Sequence, residues 1–212
     1  MYALITDGSI AIYLNGNKGL TIGSIQYPQN IFTLWTEAQR NAIGIYEVIQ
    51  NNTKKKDEEY YNNTNQTFTY DADAGTVTAT YGDATAKAHA DTTWTQDEID
   101  DGKAPAGADT DTIAIRGLKY NRIQTIKSQA ASILQDTDWY IVRKADANTA
   151  VPSAITTFRA AVRSKAAAME TLITNASNTP AIETLYTYVN TADEGDPVVL
   201  ERPLGEFPEL GS

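Results

Sequence analysis

One apolar stripe near the C-terminal end of the chain constrains the fold more than any other feature. Its members follow one another at intervals of 3, 4, 4, 3 and 4 residues: Ile155, Phe158, Val162, Ala166, Met169 and Ile173. Such intervals place every member on one face of an α-helix. Pro152, just before the stripe, suits the first turn of a helix. The sequence therefore predicts a long helix whose apolar face must be covered by other elements.

Two further helices are predicted in the same part of the chain. Before the stripe, apolar residues recur at helical spacing: Leu118, Ile123, Ile126, Ala130, Ile133 and Leu134. After it, Thr179-Pro180 begins a third helix with its own apolar residues: Ile182, Leu185, Tyr186 and Val189. Short connections between such helices indicate a helical hairpin or three-helix unit over residues 113–193. Residues 194–212 are interrupted repeatedly by Gly and Pro and are predicted to form an extended C-terminal tail.

Residues 1–50 are typical of a β-rich module with one helix. Two short strand-like runs near the N-terminus flank Asp7-Gly8-Ser9, a sequence suited to a tight turn. Thr36 and Gln39 have the spacing of a capping box, which begins a helix. Gly44 is placed to end that helix, and strand character returns after it.

Residues 51–112 are more polar. Residues 66–70 and 76–81 alternate Thr with Phe, Tyr, Val and Ala around a turn sequence, which predicts a β-hairpin. Residues 82–112 are rich in Asp, Ala, Thr and Gly, with Trp94 as the main apolar anchor, and predict an acidic linker or ordered loop. The whole pattern indicates the α+β class.

Charge is distributed unevenly along the chain. The net charge of −10 disfavours nucleic acid and anionic membranes as partners, because phosphate binding requires clustered cations. Residues 57–111 carry −11, residues 112–169 carry +6 and residues 170–212 carry −7. Two interpretations stay open: internal charge complementarity on a solvated surface, or a basic face that docks an acidic partner. No membrane span or signal peptide is predicted, and the absence of Cys fits folding in a reducing cytoplasm.

The polar residues form no recognisable catalytic or metal-binding motif. His89 is the only histidine and cannot build a His-rich metal site. Counted as a calcium loop from Asp71, the chain places Gly75 one position early and Gly82 where the bidentate Glu belongs. Phosphate-binding, dinucleotide-binding and nucleophile-elbow motifs are absent. We expect no catalytic residue, metal or cofactor, with a carboxylate-dependent glycan hydrolase as the enzymatic alternative.

Two stretches resemble proteins of tailed bacteriophages. Ile25-Gln26-Tyr27-Pro28, followed after a predicted helix by Gly44-Ile45-Tyr46-Glu47-Val48, resembles an N-terminal module of small tail proteins. Leu134-Gln135-Asp136-Thr137-Asp138-Trp139, followed by Phe158-Arg159-Ala160-Ala161-Val162-Arg163, resembles the ending of tail fibre assembly proteins and tail assembly chaperones. Phe158 and Val162 stand where that family usually has Tyr and Leu. The two stretches cover about a quarter of the chain.

The resemblance implies non-enzymatic work through contacts with other tail or tail fibre proteins. About fifty residues follow the last motif, where relatives often stop, and this favours a structural subunit that stays in the virion. Assembly would take place in the host cytoplasm. The alternatives are a fibre assembly chaperone that leaves the particle and a carbohydrate-recognising tail module. Homo-oligomers are expected because long helix faces and an open hairpin edge need covering.

The second motif also predicts a contact between helices. Trp139 is expected to fold back onto the apolar helix stripes, while Thr137 or Asp138 caps the break after the first long helix. Two arginines one turn apart could pair with Asp136 or Asp138, or face a partner's carboxylates. The partner-binding candidates in this motif are Trp139, Phe158, Arg159 and Arg163.

Three aromatic residues outside that motif complete the predicted partner-binding set. Tyr60 and Tyr61 precede the hairpin and, if exposed, could stack on sugars or on a protein, although half-buried sheet positions explain them as well. Phe207 lies in the predicted tail. Residues 202–210 could dock on a neighbouring subunit as an extended peptide.

Overall fold

The computed structural model describes residues 1–211 and shows two compact units that join between Thr85 and Ala86. Strands and two short helices make up the first unit, and the long helices all lie in the second. The predicted α+β class is confirmed. The boundary falls inside the segment 51–112, so the hairpin belongs to the first unit and most of the acidic loop to the second.

The first unit contains a five-stranded sheet with the strand order β2-β1-β5-β8-β7. Its neighbours are antiparallel except for β5 and β8, which run parallel. The predicted hairpin is present as β7 and β8. The elements are β1 (Tyr2–Thr6), β2 (Ser9–Leu14), β3 (Leu20–Ile22), β4 (Ile25–Tyr27), α1 (Ile31–Leu34), α2 (Glu37–Asn41), β5 (Ile45–Asn51), β6 (Tyr61–Asn62), β7 (Thr67–Asp71), β8 (Thr76–Thr80) and β9 (Thr85–Ala86), which crosses the boundary.

Both faces of this sheet carry buried side chains, which alternate along each strand. On one face Ala3 packs with residues of β5 and β8, and the sheet curls so that the rings of Tyr13 and Phe68, on the two edge strands, approach to 4.6 Å. On the other face Leu4 and Ile45 pack against the buried residues of α1. The short helix α1 has no side-chain cap, so this packing is what holds it.

The turn from α2 into β5 follows the sequence prediction. Thr36 Oγ1 accepts from the Gln39 N–H, and Gln39 Oε1 accepts from the Thr36 N–H, completing the capping box. Gly44 follows with φ +81°, a left-handed conformation that favours glycine. A Cβ atom there would lie 2.8 Å from the Ile5 carbonyl oxygen. The close approach exists because the Ile5 N–H donates to the Gly44 carbonyl at 2.8 Å.

The second unit consists mainly of four helices. The segment predicted as a linker or ordered loop includes a short helix capped by Thr95, which accepts from the Glu98 N–H. The elements are β10 (Thr92–Thr93), α3 (Gln96–Asp100), β11 (Ile113–Ile115), α4 (Leu118–Gln135), α5 (Asp138–Ala147), α6 (Ser153–Asn175), α7 (Thr179–Tyr186), β12 (Val189–Asn190) and β13 (Leu200–Glu201). Among residues 1–211, no helix is long and apolar enough to cross a membrane.

Helices α4 and α6 pack antiparallel along the predicted stripes. Lys119 Nζ at the start of α4 donates to the Thr174 carbonyl at the end of α6. At the opposite ends, Arg159 of α6 donates to the carbonyl of Leu134 in α4. The buried residues of this core are Ile126, Ala130, Val162, Ala166, Met169, Ile173 and Leu204.

The predicted tail docks on its own helices. Leu204 is fully buried in the α4–α6 core, and its N–H donates to the Leu185 carbonyl at 3.0 Å. Phe207 packs against the same core. The expectation that residues 202–210 extend to a neighbouring subunit is therefore wrong for this structure, because the tail's apolar side chains complete the intramolecular core.

A loop caps the N-terminus of α4. The N–H groups of Leu118 and Lys119 donate to the carbonyls of Ala88 and His89, which satisfies donors that have no partner inside the helix. Asp91 accepts from the Gly117 N–H at 2.7 Å and from the Arg116 guanidinium at 2.6 Å. At Gly117 a Cβ atom would lie 2.3 Å from the Ala90 carbonyl, so the contact requires glycine.

Two neighbouring residues of α6 test the core. Ile173→Ala empties a fully buried site and should lower the free energy of unfolding of the helical unit by about 2–5 kcal/mol. Leu172→Ala, at an exposed position of the same helix, should lower it by less than about 1 kcal/mol. Urea denaturation followed by far-ultraviolet circular dichroism measures both. Equal losses would contradict the assigned helix face.

The Asp91 contact predicts a pH effect. The hydrogen bond from the Gly117 N–H, followed by that from Arg116, lowers the pKa of the Asp91 carboxyl below its ordinary value of 3.8. The ionised group therefore stabilises the folded state above pH 3.8, and this contribution is lost as the pH falls through the lowered pKa. Asp91→Asn should lower the denaturation midpoint at neutral pH, and the difference from wild type should shrink under acid. A difference that is constant with pH would refute the assignment.

Candidate partner-binding surface

Arg159 joins three helices at the motif that the sequence singled out. From α6, its Nη1 donates to the Leu134 carbonyl at 2.8 Å and to Thr137 Oγ1 at 2.7 Å. The same nitrogen lies 2.8 Å from Asp138 Oδ1, at the start of α5. Thr137 is buried, and its own hydroxyl donates to the Leu134 carbonyl. The predicted pairing of an arginine with Asp138 is confirmed, and Arg159 holds the junction between α4 and α5.

Helix α5 was not predicted, and none of its residues is buried. It begins directly after Thr137 and ends at Ala147, before Asn148, which has the left-handed φ of +51°. The signal for it was present: Asp138 in the first turn and Lys144 in the last turn complement the helix dipole. Apolar periodicity does not predict this helix, because its apolar side chains do not continue the stripe of either long helix.

The expectation that Trp139 folds back onto the helix stripes is wrong. The side chain is 51% exposed and belongs to α5, so the new helix, and not the chain break, sets its direction. Its ring stacks on Tyr140 at 3.9 Å between centroids, and the guanidinium of Arg143 lies 4.6 Å from the indole ring. The three side chains form one stacked group.

Further apolar side chains extend this group along α5. Val142 is 65% exposed, and Ile141 is also exposed. Ile141 lines a groove of about 460 Å³ together with Lys144, Val151 and Arg163. We call the exposed residues of this region the α5 surface: Trp139, Ile141, Val142, Lys144 and Arg163. The predicted candidates Arg159 and Arg163 both line this basic groove, but Arg159, with a side chain 12% exposed, is also committed to the helix junction.

Phe158 and Phe207 meet in a second groove of about 680 Å³ between the ends of α4 and α6 and the C-terminal segment. Polar side chains line it as well, including Asp136 and Arg202. Both Phe rings are half-buried and pack against the α4–α6 core. The structure therefore brings these two predicted residues together, but as parts of an intramolecular contact.

The remaining predicted candidates, Tyr60 and Tyr61, are buried at 3% and 4% exposure. The Lys56 ammonium lies 4.5 Å from the centre of the Tyr61 ring. A ring must be accessible to stack on a sugar or on a partner's surface. The suggestion that they form an exposed stacking site is therefore wrong, because they serve the interior of the first unit.

Asp71, from which the calcium loop is counted, and Asp109 both shape turns. Asp71 Oδ1 accepts from the N–H groups of Asp73 and Ala74 within the β7–β8 turn. The Thr112 hydroxyl donates to Asp109 at 2.7 Å, and this hydrogen bond is the first cause of the lowered pKa of Asp109. In the part of the chain that the structure describes, no group of three or more His, Cys, Asp or Glu side chains could hold a metal ion.

The helix junction can be tested with two arginines one turn apart. Arg159→Met keeps the aliphatic stem but leaves Thr137 and the Leu134 carbonyl without their charged donor, which should cost about 1.5–3 kcal/mol of stability. Arg163→Met, in the exposed groove, should change stability by no more than about 0.5 kcal/mol. Urea denaturation of both variants provides the measurement. Similar effects at the two positions would show that Arg159 does not anchor α5.

Comparison with protein-family models, with curated proteins and with solved structures finds no match to this chain.

Proposed function

We propose that this chain is a non-enzymatic structural subunit of a bacteriophage tail or tail fibre that works by binding other proteins. The α5 surface is the observation that carries the proposal. A ten-residue helix without a buried residue presents Trp139, Ile141 and Val142 to solvent. A contiguous group of exposed apolar side chains marks an interaction site.

The composition of the α5 surface suits a protein partner. Trp, Tyr and Arg contribute most of the binding energy in many protein interfaces. Here Trp139, Tyr140 and Arg143 already stack on one another, so they lose little conformational freedom on binding. Lys144 and Arg163 beside them favour a partner that combines apolar and acidic side chains.

The assignment to phage tails is supported by the sequence resemblance and by a structural role for its motif. Thr137 and Asp138 from one half of the motif meet Arg159 from the other half. This contact fixes where α5 begins and therefore how its exposed side chains are presented.

The proposal places the chain in the virion, assembled in the host cytoplasm, with other tail proteins and further copies of itself as partners. The alternative, an assembly chaperone, would use the same surface but leave the particle. The carbohydrate-recognising alternative relied on the tyrosines around the hairpin, and the burial of Tyr60 and Tyr61 removes two of them from its support.

Mass spectrometry of purified, nuclease-treated particles from the virus that encodes this chain tests the proposal. Peptides present in near-stoichiometric amounts with other tail proteins are expected for a structural subunit. Peptides found only in the lysate of infected cells would indicate the chaperone instead. Absence from both fractions would overturn the assignment to phage tails.

A variant of the α5 surface should separate binding from folding. Val142→Asp places a charge at a 65% exposed position, so the fold should persist while incorporation into particles falls at least about tenfold. Leu172→Asp, on the exposed face of α6, is the matched control and should be incorporated normally. Normal incorporation of Val142→Asp would remove α5 from the proposed binding surface.

A further inference from the structure

A second group of exposed apolar side chains lies on the hairpin of β12 and β13. Val189 pairs with Glu201, and Asn190 pairs with Leu200. Asn190 Oδ1 accepts from the Val199 N–H at 3.0 Å, which closes the connecting loop. We call the exposed residues of this region the hairpin surface: Val189, Asp193, Glu194, Asp196, Val198, Val199 and Leu200.

The apolar side chains of the hairpin surface are left exposed by the rest of the chain. A two-stranded hairpin with two residue pairs is marginally stable in water by itself. Four aliphatic side chains on this hairpin are between 47% and 69% exposed, so they add little to the stability of the isolated chain. An ordered hairpin that presents such side chains has the properties of a binding element.

The hairpin surface is acidic, whereas Lys144 and Arg163 outnumber the one exposed carboxylate near them on α5, that of Asp146, and make the α5 surface net basic. The hairpin loop carries the acidic side chains of Asp193, Glu194 and Asp196, all exposed. The α5 surface combines its apolar side chains with the cations Lys144 and Arg163. The two surfaces can therefore contact each other through apolar side chains on both sides and through charges of opposite sign.

We propose that the hairpin surface of one copy of this chain docks on the α5 surface of a second copy. The inference rests on the proposed function, in which copies of the subunit assemble in a tail, and it names the contact between them. It also distinguishes between the two interpretations of the charge pattern: the basic region would bind an acidic partner, and that partner would be the chain's own C-terminal region.

The two surfaces lie on separate elements of the second unit. The hairpin follows Tyr186, whose ring lies 4.6 Å from the Arg122 guanidinium in the second turn of α4. Helix α5 starts after the last residue of α4, beyond Asp136 and Thr137. Because the contacting surfaces differ, the contact is head-to-tail. Repetition of such a contact produces a ring or a filament.

Sedimentation velocity of the purified full-length chain tests this contact with two charge-reversal variants. The first, Lys144→Glu with Arg163→Glu, makes the α5 surface acidic. The second, Asp193→Lys with Asp196→Lys, makes the hairpin surface basic. Wild type should associate with rising concentration, and more weakly at high salt, because salt screens exposed charges. Each variant alone should self-associate at least about tenfold more weakly, since its two surfaces then carry the same sign.

A mixture of the two variants is the decisive sample. The acidic α5 surface of the first variant is complementary in charge to the basic hairpin surface of the second variant. The unaltered hairpin surface of the first and the unaltered α5 surface of the second are complementary as in wild type. Equimolar mixing should therefore restore association with alternating copies. Lys18→Glu with Lys103→Glu changes the net charge as much as the first variant does, at other exposed sites, and should associate like wild type.

The outcomes separate this inference from the proposed function. A wild type that stays monomeric, variants that associate like wild type, or a mixture without restored association would each overturn the head-to-tail contact. If the chain is nevertheless found in particles and Val142→Asp is not incorporated, the proposed function stands without it. If the purified chain associates as described but is missing from particles and lysate, the contact stands and the assignment to phage tails fails.

Discussion

The three contacts of the Arg159 guanidinium organise the second unit. From α6, this side chain contacts the Leu134 carbonyl in the last turn of α4, the buried hydroxyl of Thr137 and the carboxylate of Asp138 in the first turn of α5. A charged donor that satisfies several acceptors in a partly buried site contributes more to stability than a neutral hydrogen bond does. It also fixes where the chain re-enters a helix: only Asp136 and Thr137 separate α4 from α5, and no residue of α5 is buried. The exposed surface on α5 follows from that junction.

The two units bury their apolar side chains in different ways. In the second unit a single apolar stripe on α6 faces α4, and the C-terminal segment adds Leu204 to complete the core. In the first unit the sheet buries both of its faces, one under the short helix α1 and one through its own curl. Small residues such as Ala3 and Ala79 on the curled face leave room for the aromatic rings that approach one another there.

Exposed apolar side chains in the second unit are concentrated on elements that add little to its core. Helix α5 and the β12–β13 hairpin both lie outside the α4–α6 packing, yet both have defined backbone hydrogen bonds. The exposed side chains of Val142 and Leu200 do not stabilise the isolated chain, because they remain in contact with water. The gain arises when another molecule covers them, and the opposite charges around the two surfaces give such contacts a preferred pairing.

The sequence by itself determined the elements whose residues repeat with a clear period or carry a local signal. These were the stripe on α6, its counterpart on α4, the β7–β8 hairpin and the Thr36 capping box, because periodicity and caps act within a few residues. It also offered Arg159 as one of two arginines that could pair with Asp136 or Asp138, without deciding between them. Only the tertiary structure decided which aromatic residues are accessible: it buried Tyr60 and Tyr61, docked Phe207 on the core and left Trp139 in solvent. Exposure depends on what packs against a residue from distant parts of the chain, and local sequence carries no information about that.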